Sequence, residues 1–363
     1  MLTLKEQVAM NLRELYETYG YSQYRMSKFE EYDLYARNKD FLVSDNVLTF
    51  TDLSGKLMAL KPDVTLSIVK NTKDLDVVQK LYYNENVYRA TKSSHGFKEI
   101  MQLGLECLGP IDDYAISEVL SLAAESLRRI SQDVVLDISH LGILSEVMEA
   151  SGIPAELRSD AMNYIAEKNL HDLTALCASC GVPEEDLSIL RQLVTMKAPL
   201  NADSYQTLTS LLAGRVAPQT LDQFLRILSA LEDTEFASML RIDFSVVDDI
   251  HYYNGFVFKG FINGLPGSVL SGGQYDRLMS KMKRTDRAIG FAVYTDMLER
   301  LEQPSEEYDV DVLLLYGDVS LSQLRQQIRT LTASGRSVMA QRNIPANIRY
   351  REMITIGEVE KNA

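Results

Sequence analysis

SVVDDIHYYNGFVFKGFINGLPGSVLSGGQYDRLMSKMKRTDRAIGFAVYTDMLER, residues 245–300, is the part of this 363-residue chain that reads most clearly as sheet. Two alternating apolar runs, 252–261 and 288–294, flank a glycine turn at Gly272-Gly273 and a helical segment from Tyr275 on. Strands of this kind bury one face and present the other. The second face would carry Tyr252, Tyr253 and Tyr275, polar-tipped aromatics suited to lining a small-molecule pocket. Paired glycines let backbone approach a ligand where a side chain would collide. A half-buried antiparallel sheet with a tight turn accounts for the same pattern, so chemistry alone leaves both readings open.

The rest of the chain bounds the answer. At 363 residues it can bury a large core in two or three domains. With 46% hydrophobic and 24% charged residues it has the composition of an ordinary globular protein. No apolar run is long enough to span a bilayer, and MLTLKEQVAMNLREL reads as an amphipathic helix, not a signal peptide. A formal net charge of −14 argues against a broad nucleic-acid surface, which needs clustered Lys and Arg. Three cysteines without secretory context point to a reducing cytoplasm.

In order along the chain, apolar positions at Leu4, Val8, Leu12, Leu15 and Tyr19 predict a helix ending at Gly20, before an extended run, SQYRMSKFEEYDLY. LTFTDLSGKLMAL, residues 48–60, predicts a hairpin about Ser54-Gly55. Lys61-Pro62-Asp63-Val64-Thr65 suits a strand-to-helix corner, with Asp63 either a helix-capping acid or a carboxylate for a ligand ammonium. Residues 80–109 read as strand, loop, strand. Gln102 and Glu106 are in phase and point to one face, whether a pocket or a solvated sheet. A helix over 114–130 and a strand over 134–138 follow, with His140 as a structural cap. From about 143 to 239 the pattern is almost continuously helical, broken by prolines 154, 183, 199 and 218. Cys177 and Cys180 form a lone C-x-x-C without further metal ligands, so they read as two helix-end thiols. His251 reads by default as a sheet-face histidine. The tail predicts strand 310–316, helix 321–334, and strands 337–340 and 353–356.

YYNGFVF, GGQYDRL and IGFAVYTDML, in that order and spacing, resemble the histidine-binding segments and third signature motif of histidyl-tRNA synthetases, which read RGLDYYTGTVFE, GGRYDGL and GFAIGLERL. The helix–YGY–strand start resembles the first class II motif, a dimer interface in that family, although the usual proline is missing from Ser27-Lys28-Phe29. Residues 80–109 resemble the second, with Arg89 at the motif arginine and Gln102, Gly104 and Glu106 at the QxGxE end. The fold so implied is α+β: a class II synthetase-like antiparallel sheet with flanking helices, residues 1–305, carrying a helical insertion at about 143–239. A small C-terminal α/β unit, 306–363, resembles a truncated anticodon-binding domain. The implied histidine-like pocket is Asp63, Thr65, Arg89, Gln102, Glu106, Tyr252, Tyr253 and Tyr275.

Four residues depart from the synthetase pattern. The family's catalytic arginine falls on Asp248, the glycine after it on Asp249, and the third motif's glutamate-arginine pair on Asp296 and Met297. Arginine braces polyphosphate as a permanently charged fork, and neither aspartate nor methionine substitutes for it. Between Arg89 and Glu99 the loop offers only Lys92, His95 and Lys98. A synthetase-like core without these arginines, with a short tail, is similar to the regulatory subunits of ATP phosphoribosyltransferase. That resemblance implies no catalytic residue, cofactor or metal in this chain. It also implies a cytoplasmic hetero-octamer with the short-form catalytic subunit, self-association as a dimer or tetramer, and histidine as a ligand for feedback inhibition of the first step of histidine biosynthesis. An active amino-acid ligase and a free-standing amino-acid or tRNA-like sensor are the alternatives.

Overall fold

The computed structural model describes residues 3–42, 46–90, 96–247, 252–301 and 308–358. Lys92, His95, Asp248, Asp249 and His251, all named above, lie outside the described residues. The contacts divide the chain into two units, Met1–Glu299 and Arg300–Ala363.

The first unit begins with α1 (Leu4–Thr18), whose N-terminus is closed by reciprocal Thr3 and Glu6 hydrogen bonds. Its buried stripe is Val8, Leu12, Leu15 and Tyr16; Tyr19 lies past the helix end and is exposed, because the chain reverses there. After β1 (Ser22–Gln23) and β2 (Phe29–Glu31), the YDLY segment forms α2 (Tyr32–Ala36) instead of continuing extended. β3 (Thr49–Thr51) and β4 (Leu57–Leu60) make the expected hairpin and, with β2, a small antiparallel sheet. α3 (Thr65–Asn71) follows the Lys61-Pro62-Asp63 corner.

Long strands β5 (Gln79–Ala90) and β6 (Phe97–Gly109) then lead to α4 (Asp113–Ile130) and β7 (Val134–His140). The helical region contains α5 (Leu141–Ala150), α6 (Arg158–Ala166), α7 (Leu170–Ser179), α8 (Glu184–Thr195), α9 (Ala202–Leu212) and α10 (Pro218–Glu232). It is interrupted once, where Ala198-Pro199 forms a two-residue strand, β8, at the sheet edge. Pro218 opens α10 at its first turn, where a missing N–H costs nothing. The unit closes with β9 (Leu240–Ile242), β10 (Phe256–Ile262), β11 (Ser268–Gln274), α11 (Asp276–Lys281) and β12 (Arg287–Tyr294).

Nine of these strands form one sheet in the order β1-β5-β6-β12-β11-β10-β7-β9-β8. It is antiparallel through its centre, while β1/β5 and β7/β9 pair in parallel. α1 and α4 cover one face, where Tyr16 and Ser126 share a buried 3.0 Å hydrogen bond. Gly260 lets Leu127 of α4 sit against β10, since a Cβ there would meet that side chain.

One expectation is overturned: Gly272-Gly273 is not a turn. Both lie inside β11, and the chain reverses earlier, near Gly264, whose φ is +86°. A Cβ on Gly272 would meet Gly290 O, and one on Gly273 would approach Phe256 O at 2.6 Å and Tyr253 Cδ1 at 2.7 Å. Glycine is needed there for close packing across strands and not for a reversal.

The second unit is a parallel three-stranded sheet of β13 (Val310–Tyr316), β14 (Val338–Gln341) and β15 (Tyr350–Ile356), with β13 central. α12 (Leu321–Ala333) connects β13 to β14 and packs Leu324, Ile328 and Leu331 against Val312 and Leu314.

Candidate functional site

Opposite the α1/α4 face, the central strands floor a cavity of about 220 Å³. A dry cavity of about 150 Å³ admits a benzene ring, so this one has room for a ring with a short polar extension. Asp63, Thr65, Arg89, Gln102, Glu106, Tyr252, Tyr253 and Tyr275 all line it. Residues separated by as many as 212 positions thus meet because strands adjacent in space are distant in sequence.

Glu106 is the centre of the polar arrangement. One carboxylate oxygen accepts from Thr65 Oγ1 at 2.6 Å and the other from the Tyr275 hydroxyl at 2.6 Å. Glu106 is 2% exposed. Burial drives its pKa up to about 8, and Asp63 nearby pushes the same way against the two hydroxyl donors. Gly290 faces it across the β6/β12 pair, and a Cβ at Gly290 would overlap the carboxylate. Thr65 thus holds Glu106 and also borders the cavity.

Asp63 serves the start of α3, as the first of its two readings had it. Its Oδ1 accepts from the Leu66 backbone N–H at 2.8 Å at the start of α3, and it also borders the cavity. Burial raises its pKa, opposed by the Leu66 hydrogen bond and the Arg89 charge. Arg89 donates from Nε to the Pro62 carbonyl at 3.1 Å, fixing the corner that carries Asp63. Beneath that corner, Lys61 is fully buried and paired with Glu85 of β5. The pair meets the rule that a buried charge needs a partner.

The tyrosines form a wall. The Tyr252 ring lies 4.7 Å from Tyr253, 5.7 Å from Tyr275 and 6.0 Å from Phe41, centroid to centroid. Burial raises the pKa of Tyr83, Tyr252 and Tyr275 well above the phenol range, so their hydroxyls stay protonated as donors.

Sequence reasoning missed several lining residues, notably Lys259, Ser268, Ser271, Tyr83 and Tyr294. Lys259 carried a usable signal: it is the one charge inside the apolar run FVFKGFI. Ser271 and Tyr294 share a 2.8 Å hydrogen bond between hydroxyls at this end.

His140 is a cap, as its sequence position suggested. Nδ1 accepts from the Ile143 N–H at 3.2 Å, and the ring packs on Phe224 and Phe256. Burial lowers its pKa to about 4. Cys177 is buried and Cys180 half-buried, both as free thiols. Among the described residues no group of three His, Cys, Asp or Glu could hold a metal, and no helix is long and apolar enough to cross a membrane. At the third-motif positions, Asp296 pairs with Lys98 at 2.8 Å, and the Met297 methyl lies beside Gly267.

The sheet and its cavity define a class II aminoacyl-tRNA synthetase-like protein. A family model described as histidyl-tRNA synthetase matches residues 2–298, and the chain belongs to that family. Within it, the chain is similar to proteins named ATP phosphoribosyltransferase regulatory subunit. One from Oceanobacillus iheyensis is 24% identical over 307 residues, 84% of this chain and 75% of the relative. A solved structure of an ATP phosphoribosyltransferase regulatory subunit/histidyl-tRNA synthetase from Bacillus halodurans superposes with TM-score 0.78 at 23% identity, covering 97% of this chain and 93% of that one. A chain of the ATP phosphoribosyl transferase (HisG:HisZ) complex from Thermotoga maritima gives TM-score 0.64 at 20% identity, over 81% and 98%. At these identities the structures speak for the fold.

Proposed function

We propose that this chain is a regulatory subunit of ATP phosphoribosyltransferase without chemistry of its own. It activates a short-form catalytic subunit, assembles with it as a hetero-octamer in the cytoplasm, and mediates feedback inhibition by histidine. The supporting observation is a split within one synthetase-like sheet. The polar end built on Glu106, Thr65 and Tyr275 is fully hydrogen-bonded, whereas Asp296 and Met297 stand where the family places its glutamate-arginine pair. A methionine cannot neutralise a polyphosphate. The similarity to proteins named as regulatory subunits favours the same reading.

Such a role requires only a two-state assembly whose balance an effector biases. The test is phosphoribosyl transfer to ATP by a short-form catalytic subunit from the same organism, with and without this chain. A large rise in rate on addition, reversed by histidine, is expected. No rise would overturn the proposal. Histidine-dependent exchange of pyrophosphate into ATP by this chain alone would establish a ligase instead.

A further inference from the structure

Among the described residues two other than glycine have left-handed backbone, Lys168 (φ +54°) and Lys283 (φ +61°). Each follows a helix end in the same way. After α6, the Lys168 and Asn169 N–H groups donate to the Ile165 and Tyr164 carbonyls; after α11, those of Lys283 and Arg284 donate to Ser280 and Met279. Glycine is the usual residue at that position, because a Cβ strains the turn. Gly20, Gly152, Gly181 and Gly335 hold it after α1, α5, α7 and α12. A lysine there accepts strain, so its side chain should have a task. Lys168 has one: its ammonium pairs with the buried Asp243 carboxylate at 3.3 Å. Among the described residues the Lys283 ammonium has no ion pair or hydrogen bond.

Lys283 instead borders an open groove of about 470 Å³ between α2, the end of α3 and the end of α11. That volume lies in the range of small-molecule sites. Leu34 and Met282 give the groove an apolar part. Its charged lining is Arg37, Lys70, Lys281 and Lys283 against Glu31 and Asp33, a surplus of two positive charges. The acids already have partners: Glu31 takes Lys56 at 2.6 Å and Asp33 takes Arg37 at 3.1 Å. Lys70 binds Glu30 at 2.6 Å, and with Glu30 and Lys56 included the surplus is the same. Lys281 stands 4.8 Å from the centre of the Phe41 ring. A phosphate monoester carries about −1.5 to −2 charge at pH 7, which matches the surplus.

We infer that this groove binds a small phosphorylated molecule, with its phosphate on Lys283 and its apolar body against Leu34 and Met282. The site is separate from the cavity over the central strands and does not depend on what that cavity binds.

The experiment is calorimetric titration of the full chain with phenyl phosphate, inorganic phosphate and benzyl alcohol, at low ionic strength, where surface charges are least screened. Wild type should bind phenyl phosphate more tightly than either fragment. Lys283→Gly should weaken phenyl phosphate about tenfold, the low end for a hydrogen bond to a charged group. It should also melt no lower than wild type, because glycine suits the turn. Lys283→Arg should retain most of the affinity. Lys168→Gly changes the same backbone position of another helix and removes a lysine elsewhere, so its affinity should equal that of wild type. A Lys283→Gly protein that binds phenyl phosphate as wild type does, or no more weakly than Lys168→Gly, overturns the assignment. So does a wild type that binds inorganic phosphate as tightly as phenyl phosphate. A wild type that binds no phenyl phosphate overturns it too, and binding of a glutamate-rich peptide in its place would make the groove a protein-docking surface.

Discussion

The cavity floor and the helical region α5–α10 hold themselves together by different means. In the helices, Leu144, Val147, Leu190, Leu193, Phe224 and Leu228 are buried, and ion pairs such as Arg191–Glu184 sit at the surface. In the floor, Glu106, Gln102, Thr65 and Tyr275 are buried instead. Burial of apolar surface is non-directional and tolerates substitution of similar volume. A buried carboxylate held by two hydroxyls is directional and costs stability unless every partner is in place. Buried, perturbed groups of this kind cluster at functional sites.

The largest effect should come from removing the space the floor depends on. Gly290→Val would drive a side chain into the Glu106 carboxylate and the Leu105 carbonyl. Loss of soluble, cooperatively folding protein is expected in a denaturant titration. Gly152→Ala is the matched control in the helical region, because nothing lies within 4 Å of its Cβ position. Its φ of +79° limits the cost to about 1–2 kcal/mol.

Next in size are substitutions that separate stability from binding. Leu190→Ala should lower stability by about 2–5 kcal/mol and leave histidine affinity unchanged. Glu106→Gln should do the reverse. One hydroxyl partner is lost, so stability at pH 4.5, before the Glu106 proton is at issue, should change by no more than about 1 kcal/mol, while calorimetry at neutral pH detects no histidine binding. Equal behaviour of the two variants would erase the distinction between the regions.

pH sharpens the same contrast, because the two regions carry shifts of opposite consequence. Glu106 titrates near 8 when folded against 4.5 unperturbed, so between those values the folded state holds a proton the unfolded state has released. Stability therefore falls as pH rises through that window, by up to about 1.4 kcal/mol per pH unit. Glu106→Gln should flatten the slope. His140, at the head of the helical region, titrates near 4 against 6.5, so its contribution is full above 6.5 and lost as pH falls toward 4. The shift corresponds to roughly 3 kcal/mol. His140→Asn keeps a capping acceptor and should reduce the acid-side slope in thermal melts.

The helical region was the more legible of the two in sequence. Leucine periodicity and the prolines at 154, 183 and 218 marked its helices, because an amphipathic helix writes its burial into local spacing. The floor had to be assembled from positions far apart, and resemblance to a family supplied what periodicity could not. All eight residues named for the pocket border one cavity. Gly272-Gly273 was misread because local chemistry cannot distinguish a glycine that reverses the chain from one that admits Phe291 and Tyr253 from neighbouring segments. Lys259 was overlooked because a lone lysine in an apolar strand is ordinarily placed on a solvated face, and only the register brings it over the cavity.

The smallest effect concerns the far edge of the floor, where Lys98 and Asp296 pair at 2.8 Å. Lys98 is about half exposed, so the pair belongs with surface ion pairs, whose coupling is about 0–1 kcal/mol. A double-mutant cycle of Lys98→Ala and Asp296→Ala should give a coupling in that range that shrinks further with added salt. Histidine affinity should not change, because neither residue borders the cavity. Asp296→Ala that weakened histidine binding severalfold would extend the ligand-bearing floor to this edge. An unchanged affinity would leave the two carboxylates with separate tasks, Glu106 toward a ligand and Asp296 toward a strand.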